Sequence, residues 1–217
     1  MTAQLIEVPR GQVAAVVTYL EMRGRPASGA VPESPLRLER WRAVDPDRYR
    51  SLFRKVGARW LWFSRLTMTD AELGAIVQHP SVELYEVTAV EPVVGMLELD
   101  FREAGQCELA FIGLVPELAG QGHGRWLLAE ALRLAWRDGV ERVHVHTCTL
   151  DHPAALPNYE KRGFREFKQI GLVKGDLPRI HAAQAVLSGS RAAALSPQST
   201  CTDASVNSVP ARLKPAK

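Results

Sequence analysis

Residues 114–132, LVPELAGQGHGRWLLAEAL, decide the fold. A strand is expected to end at Pro116, and a glycine-containing loop then leads directly into a helix. The loop glycines are Gly120, Gly122 and Gly124. Glycine lets the backbone approach an anion closely, and the helix N-terminus adds unpaired N–H groups and partial positive charge. With Arg125 at its exit, the loop predicts a phosphate or pyrophosphate site. The alternative is that the glycines only permit a tight turn.

The spacing of these glycines excludes two common phosphate-binding motifs. A P-loop needs Lys and then Ser or Thr after its last glycine, whereas Arg125 and Trp126 follow Gly124. A dinucleotide fingerprint that starts at Gly120 needs glycine or alanine at position 125, which is arginine. Neither motif fits.

The loop does resemble the acetyl-CoA loop of the GNAT N-acetyltransferase superfamily. That family has Arg or Gln, two residues, Gly, one residue, and Gly or Ala, directly after a strand that ends in Val-x-Pro-like residues. Here the loop reads AGQGHG (119–124) after IGLVPE (112–117), with Ala119 where Arg or Gln is usual. The resemblance implies acetyl-CoA as co-substrate, held by Ile112, Gly113, Leu114, Gly120, Gln121, Gly122, His123, Gly124, Arg125 and His152.

A second family signature follows downstream. Residues 146–164, HTCTLDHPAALPNYEKRGF, resemble the family's strand, capped helix and Tyr-x-x-x-Gly-Phe ending, here from Tyr159 to Phe164. The resemblance covers about residues 82–169. Asp151 and His152 stand where family members often have a helix-capping or CoA-contacting Asn. We interpret Asp151 as the N-cap of the helix that contains Pro153.

The resemblance implies that a substrate amine attacks the thioester directly. An ammonium must lose a proton, the oxyanion must be held and the thiolate must be protonated. Tyr159 is the expected acid, because a phenol can return a proton to a thiolate of comparable basicity; the alternative is core packing. Glu108 is the candidate base, since alternation places it on one face with Ala110, Ile112 and Leu114.

The base role has further candidates. Glu98 and Asp100 on the neighbouring predicted strand compete with Glu108, directly or through a water, and Glu108 could also be an ordinary solvated charge at a strand end.

Histidine and tryptophan clusters complete the candidate residues. His144, His146 and Cys148 share one face of a predicted strand, but the spacing to Asp151 is two residues longer than a His-x-His-x-Asp-His metal site requires. We interpret these residues as a packed face and predict no metal. Residues 59–63, RWLWF, are expected to form core or one wall of the acceptor cleft.

Periodicity predicts an α+β fold. Strands are expected over residues 13–22, where the alanines would also suit a helix, and over 36–42, 82–90, 93–102, 107–115, 142–149 and 164–172. Helices are expected to follow Asp45, to span 70–78 with Thr69 or Asp70 as the cap, to run from the glycine loop to Asp138-Gly139, and to span 153–162. The family resemblance implies a GNAT fold, in which a central mixed, mostly antiparallel sheet is flanked by helices on both faces.

Composition sets the remaining bounds. The chain has 217 residues, 46% hydrophobic and 24% charged, which is ordinary for a globular protein. Residues 188–217 contain four basic residues and one acid, which account for the net charge of +3. We expect residues 1–187 to form the GNAT domain and residues 188–217 to be disordered, because they hold little apolar surface.

The same data set expectations for partners and compartment. A neutral domain argues against nucleic-acid binding, no apolar run suits a membrane span, and three scattered cysteines with no secretory signal suggest a cytoplasmic protein with reduced thiols. We expect a monomer or homodimer that acetylates a small-molecule or peptide amine. The alternative is a non-catalytic acyl-CoA-binding or regulatory module.

Overall fold

The computed structural model describes residues 5–26, 31–89 and 92–174. The predicted disorder of residues 188–217, and the domain boundary at residue 187, lie outside these ranges. Among the described residues, no helix has the length and apolar character needed to cross a membrane.

The described strands form one mixed sheet. In chain order they are β1 (Val13–Met22), β2 (Arg37–Arg40), β3 (Val82–Thr88), β4 (Val93–Asp100), β5 (Gln106–Leu114), β6 (Arg142–Cys148) and β7 (Arg165–Lys174). Their order across the sheet is β2-β3-β4-β5-β6-β1-β7. Among the described strands, only β5 and β6 pair in parallel, and the other neighbours are antiparallel. The predicted fold class is confirmed.

Four helices accompany this sheet in the described ranges. They are α1 (Pro46–Gly57), α2 (Asp70–Val77), α3 (His123–Ala135) and α4 (Ala155–Lys161). The predicted caps of the first two are present. Asp45 accepts a 2.8 Å hydrogen bond from the backbone N–H of Arg48, and Thr69 forms a capping box with Glu72.

Two predicted helix ends were wrong. α3 ends at Ala135 rather than at Asp138-Gly139, because Trp136 takes an extended backbone and is itself buried. Gly139 has the expected positive φ, but in the turn that follows. α4 is preceded by Ala154 rather than capped by Asp151, whose carboxylate bonds elsewhere.

A β-bulge in β5 breaks the alternation on which the face of Glu108 was predicted. Leu99 of β4 lies opposite Leu109, but its neighbour Glu98 lies opposite Phe111, so Ala110 is the extra residue. Glu108 therefore shares a face with Phe111. Ile112 and Leu114 lie on the other face, and the prediction that they share a face with Glu108 was wrong.

β5 and β6 pair only at their beginnings. The parallel ladder joins residues 106–108 to residues 142–144 and then stops. Beyond it the two strands have no shared hydrogen bonds, and the sheet opens into a gap. The glycine loop follows the far end of β5, so it lies at this opening.

Helix α1 packs on the Glu98 face of the sheet through aromatic side chains. Phe53 meets Phe111 edge-on at 4.8 Å between ring centroids, and Tyr49 Oη donates a 2.5 Å hydrogen bond to the fully buried Glu98. Arg65 Nη2 donates to the other oxygen of that carboxylate at 2.5 Å. Burial, with the Glu98 charge beside it, raises the pKa of Tyr49 well above its usual value.

The close approach of α1 to β5 requires glycine at position 113. A Cβ there would lie 2.7 Å from Val56 Cγ1 and 3.1 Å from the Trp62 ring. We expect Gly113→Ala to lower the free energy of unfolding by about 1–3 kcal/mol, because the packed helix would have to move. Chemical denaturation measures this. Gly171→Ala in β7 is the matched control, since a Cβ there meets nothing within 4 Å; an equal loss in both variants would contradict the packing explanation.

Candidate active site

A cleft of about 910 Å³ occupies the gap between β5 and β6. Its lining comes from the second half of β5, the end of β6, the glycine loop, the start of α3, α4, the end of α1 with the segment that follows it, and residues of β1 and β7. This volume is in the range of small-molecule sites. Of the residues predicted for the site, the lining includes Ile112, Gly113, Leu114, Gly120, Gln121, Gly122, Gly124, Arg125, His152 and Tyr159.

The glycine loop presents bare backbone to this cleft. Gly120 and Gly122 have φ of +79° and +86°, a conformation that disfavours other residues, and Gly122 is the N-cap of α3. A Cβ added to Gly120 or Gly124 would meet nothing within 4 Å. The first turn of α3 leaves N–H groups without intrahelical acceptors, so the loop is shaped to receive an anion.

Two cations line the same cleft as this loop. Arg125 and Lys161 both line the cleft, and Arg162 donates a 3.2 Å hydrogen bond to the Arg125 carbonyl, which ties α4 to the start of α3. Lys161 was missed by the sequence analysis, although it belongs to the segment from Tyr159 to Phe164 that carries the second signature. The glycine loop and these cations together suit a polyphosphate.

Tyr159 lies on α4 with its ring buried against Phe164, at 5.7 Å between centroids, and it lines the cleft. Burial raises the pKa of this phenol, and the negative charge of Asp151 raises it further. The hydroxyl therefore keeps its proton at neutral pH. Its position and protonation suit a donor at the cleft, while its packing against Phe164 is also that of a core residue.

The three carboxylates considered for the base are all engaged elsewhere. Glu108 is not part of the cleft lining, whereas His146 is. Oε1 of Glu108 lies 3.2 Å from Nδ1 of His146. The hydrogen bond from His146 holds the pKa of Glu108 below its usual value, against the effect of burial. Glu98 is fully buried, and Asp100 accepts from both Nε and Nη2 of Arg102. None offers a free carboxylate to the cleft.

His123 is the other predicted residue that the cleft lining does not include. Its Nδ1 is 3.0 Å from Ser34 Oγ, in the segment before β2. Its backbone still begins α3, directly after Gly122. The ring fixes the segment before β2 against the glycine loop rather than facing the cleft.

Asp151 joins three parts of the cleft wall. Its carboxylate accepts hydrogen bonds from Trp62 Nε1 at 3.1 Å, Thr147 Oγ1 at 2.9 Å and the Cys148 N–H at 2.8 Å. The hydrogen bond between Asp151 and Trp62 was not predicted from the sequence, because the two residues are 89 positions apart.

Two tryptophans from the segment after α1 form another part of the cleft wall. Trp60 meets His152 edge-on at 5.1 Å, while Trp62 packs on Phe53 and Phe111. Both tryptophans also line the cleft, as do Leu61 and Phe63, and Trp62 packs against the core as well; Arg59 is not among the lining residues. His152 accepts a 3.0 Å hydrogen bond from the Ala154 N–H through Nδ1, which orients its ring.

Strand β6, which carries His144 and His146, forms no metal-binding cluster within the described part of the chain. No three of the His, Cys, Asp and Glu side chains in residues 5–26, 31–89 and 92–174 converge as ligands.

Comparisons with known proteins agree with this geometry. Residues 77–164 match the model of the acetyltransferase (GNAT) family. This segment contains β5, the glycine loop, α3, β6 and α4. No protein of curated function matches the sequence.

Solved structures share the fold at low sequence identity. A GCN5-related N-acetyltransferase of Sphaerobacter thermophilus is 15% identical, with 76% of this chain and 52% of that chain covered and a TM-score of 0.51. One from Kribbella flavida is 16% identical, with 78% and 63% covered and a TM-score of 0.50. A Drosophila protein is 13% identical, with 76% and 53% covered and a TM-score of 0.54. The chain thus spans about half to two thirds of their length.

Proposed function

We propose that this protein is an N-acetyltransferase that moves the acetyl group of acetyl-CoA to an amine by direct attack. The observation that carries the proposal is the open glycine loop at the N-terminus of α3, placed where β5 and β6 separate. The match of residues 77–164 to the GNAT family model supports acetyl transfer as the general reaction.

The residues present fit acetyl-CoA. The backbone of residues 120–124, together with Arg125 and Lys161, would hold its phosphates, because bare N–H groups and two cations line the same cleft. The unpaired edge of β5 at residues 112–114 would receive its amide-containing arm, since this edge has lost its β6 partner. The co-substrate would supply a thioester whose carbonyl carbon accepts the amine.

This chain's residues have two tasks beyond binding. Tyr159 would donate its proton to the departing sulfur, because its hydroxyl stays protonated and lines the cleft. The cleft must also accept a proton from the incoming ammonium. The side chains of Glu108, Glu98 and Asp100 are not part of the cleft lining.

An acceptor screen tests the proposal. The protein is mixed with acetyl-CoA and panels of small amines, aminoglycosides, amino acids and peptides, and acetylated products are identified by mass spectrometry. We expect at least one amine to be acetylated only when native protein and acetyl-CoA are both present. Tight acetyl-CoA binding without any acetylated amine would instead favour the non-catalytic acyl-CoA-binding module.

A further inference from the structure

Glu108 and His146 connect across the point where β5 and β6 part, and only His146 faces the cleft. The parallel ladder ends with Glu108 opposite His144, and His146 lies two residues further along β6. Nδ1 of His146 and Oε1 of Glu108 are 3.2 Å apart across this opening. The Glu108 carboxylate therefore contacts the cleft only indirectly, through the His146 imidazole.

The His146 ring is held in a defined orientation. Tyr19 of β1 lies directly opposite it in the sheet, with ring centroids 5.6 Å apart. A proton on Nδ1 would lie next to the Glu108 carboxylate, and in the neutral ring this tautomer leaves the lone pair on Nε2. Within the described part of the chain Nε2 has no protein hydrogen-bond partner, and the side chain is 45% exposed.

Glu108 by itself is poorly suited to deprotonate an ammonium. Its pKa is lowered by the hydrogen bond from His146, which makes the carboxylate a weaker base. An imidazole is the side chain that exchanges a proton most readily near neutral pH, and this one is located on the cleft wall.

We propose that Nε2 of His146 takes the proton from the acceptor ammonium and that Glu108 is the positioning residue that holds its ring through Nδ1. This inference rests on the proposed function, and it names a base that the sequence analysis did not select.

The protons of the acetyl transfer balance when Tyr159 is the proton donor. Nε2 of His146 takes one of the three ammonium protons, and the amine nitrogen then bonds to the thioester carbon. The carbon–sulfur bond breaks with its electron pair on sulfur, which takes the Tyr159 proton. A second proton from the nitrogen restores Tyr159, the third stays on the amide, and His146 releases its proton to solvent.

Titratable groups surround His146 from four strands. Glu108 faces it from β5, His144 lies on its own strand β6, and Tyr19 faces it from β1 with Lys168 of β7 over the Tyr19 ring at 5.5 Å. Further out, Glu21 pairs with Arg142 at 2.6 Å. Of these, only Glu108 makes a direct polar contact with the imidazole.

Kinetics of three variants test the assignment. We expect His146→Gln to lower kcat about 10²-fold at neutral pH, with unchanged affinity for acetyl-CoA. The deficit should shrink as pH rises, because the amine then arrives already deprotonated. Glu108→Leu should cost less, and the double variant should lose no more than His146→Gln alone, because Glu108 acts through His146. His144→Gln is the matched control and should keep its rate.

Imidazole added to His146→Ala should restore part of the rate, which a merely structural role would not allow. Additive losses in the double variant, or a larger loss in Glu108→Leu than in His146→Gln, would overturn the assignment and make Glu108 the base.

A second readout does not depend on finding an acceptor. Nitrogen-15 NMR of the imidazole should show the proton on Nδ1 in the neutral native protein, and Glu108→Leu should shift the population toward the Nε2–H tautomer. A native ring with its proton on Nε2 would overturn the role of His146. If the Nδ1–H tautomer is found but no amine is acetylated in the screen, it is the proposed function that fails.

Discussion

Replacing Tyr159 by phenylalanine should lower turnover about 10²-fold or more while acetyl-CoA affinity changes little. The variant keeps the ring and its edge-on packing against Phe164, and it removes the one proton that the hydroxyl can give to the departing thiolate. Because burial and the Asp151 charge keep this phenol protonated, its loss removes a donor that is present throughout the neutral range. Steady-state kinetics with an identified acceptor measure the change.

The control for this substitution is Tyr85→Phe. The Tyr85 hydroxyl donates a hydrogen bond to Glu83 on β3, away from the cleft, so removing this hydroxyl should leave turnover unchanged. If Tyr159→Phe turns over normally, the donor is another group or the thiolate leaves unprotonated. The fold and the binding site would stand, and the role of Tyr159 would be withdrawn.

Gly124→Asp should weaken acetyl-CoA binding about a hundredfold or more. The added carboxylate would stand in open space at the first turn of α3, facing the phosphates that this helix end is proposed to bind. Two like charges about 4 Å apart near a protein surface repel by about 4 kcal/mol, and each 1.4 kcal/mol is tenfold in affinity. Calorimetric titration measures the loss.

Gly124→Asn separates charge from size in this test. Asparagine has nearly the same shape as aspartate but no negative charge, so the affinity of this variant for acetyl-CoA should fall far less. Neither variant should unfold, because a Cβ at position 124 meets no neighbour and an acid in the first turn of a helix is favourable. Equal losses in the two variants would show steric blockage rather than repulsion, and unchanged affinity in folded Gly124→Asp would remove the assignment of the loop.

The sequence predicted the elements whose signals are local. The β-branched run of β1 predicted its bounds. Asp45 predicted the start of α1, and Thr69, one of the two candidate caps, predicted the start of α2, because a cap acts within three residues of itself. The glycine loop was likewise predicted, since its function depends on backbone freedom that only glycine provides.

The features that the sequence did not predict depend on strand register and distant contacts. The extra residue Ala110 has no distinguishing chemistry, so strict alternation placed Ile112 on the wrong face of β5. The pairing of Glu108 with His146 requires knowing that β5 and β6 begin in parallel register and then part. Asp151 was assigned to the nearest helix, whereas its carboxylate accepts from Thr147 and Cys148 on the preceding strand and from Trp62, which is remote in the chain.

The measurement that tests the central claim most directly is an NMR titration of nitrogen-15-labelled protein with acetyl-CoA. If the cleft between β5 and β6 holds this molecule, the largest amide shifts will come from Gly120, Gly122 and Gly124 and from residues 112–114, with saturation at one equivalent. The strand edge at β2 and β3, which is distant in sheet order, will change little. No shifts at saturating acetyl-CoA, or shifts concentrated away from the glycine loop, would contradict the account.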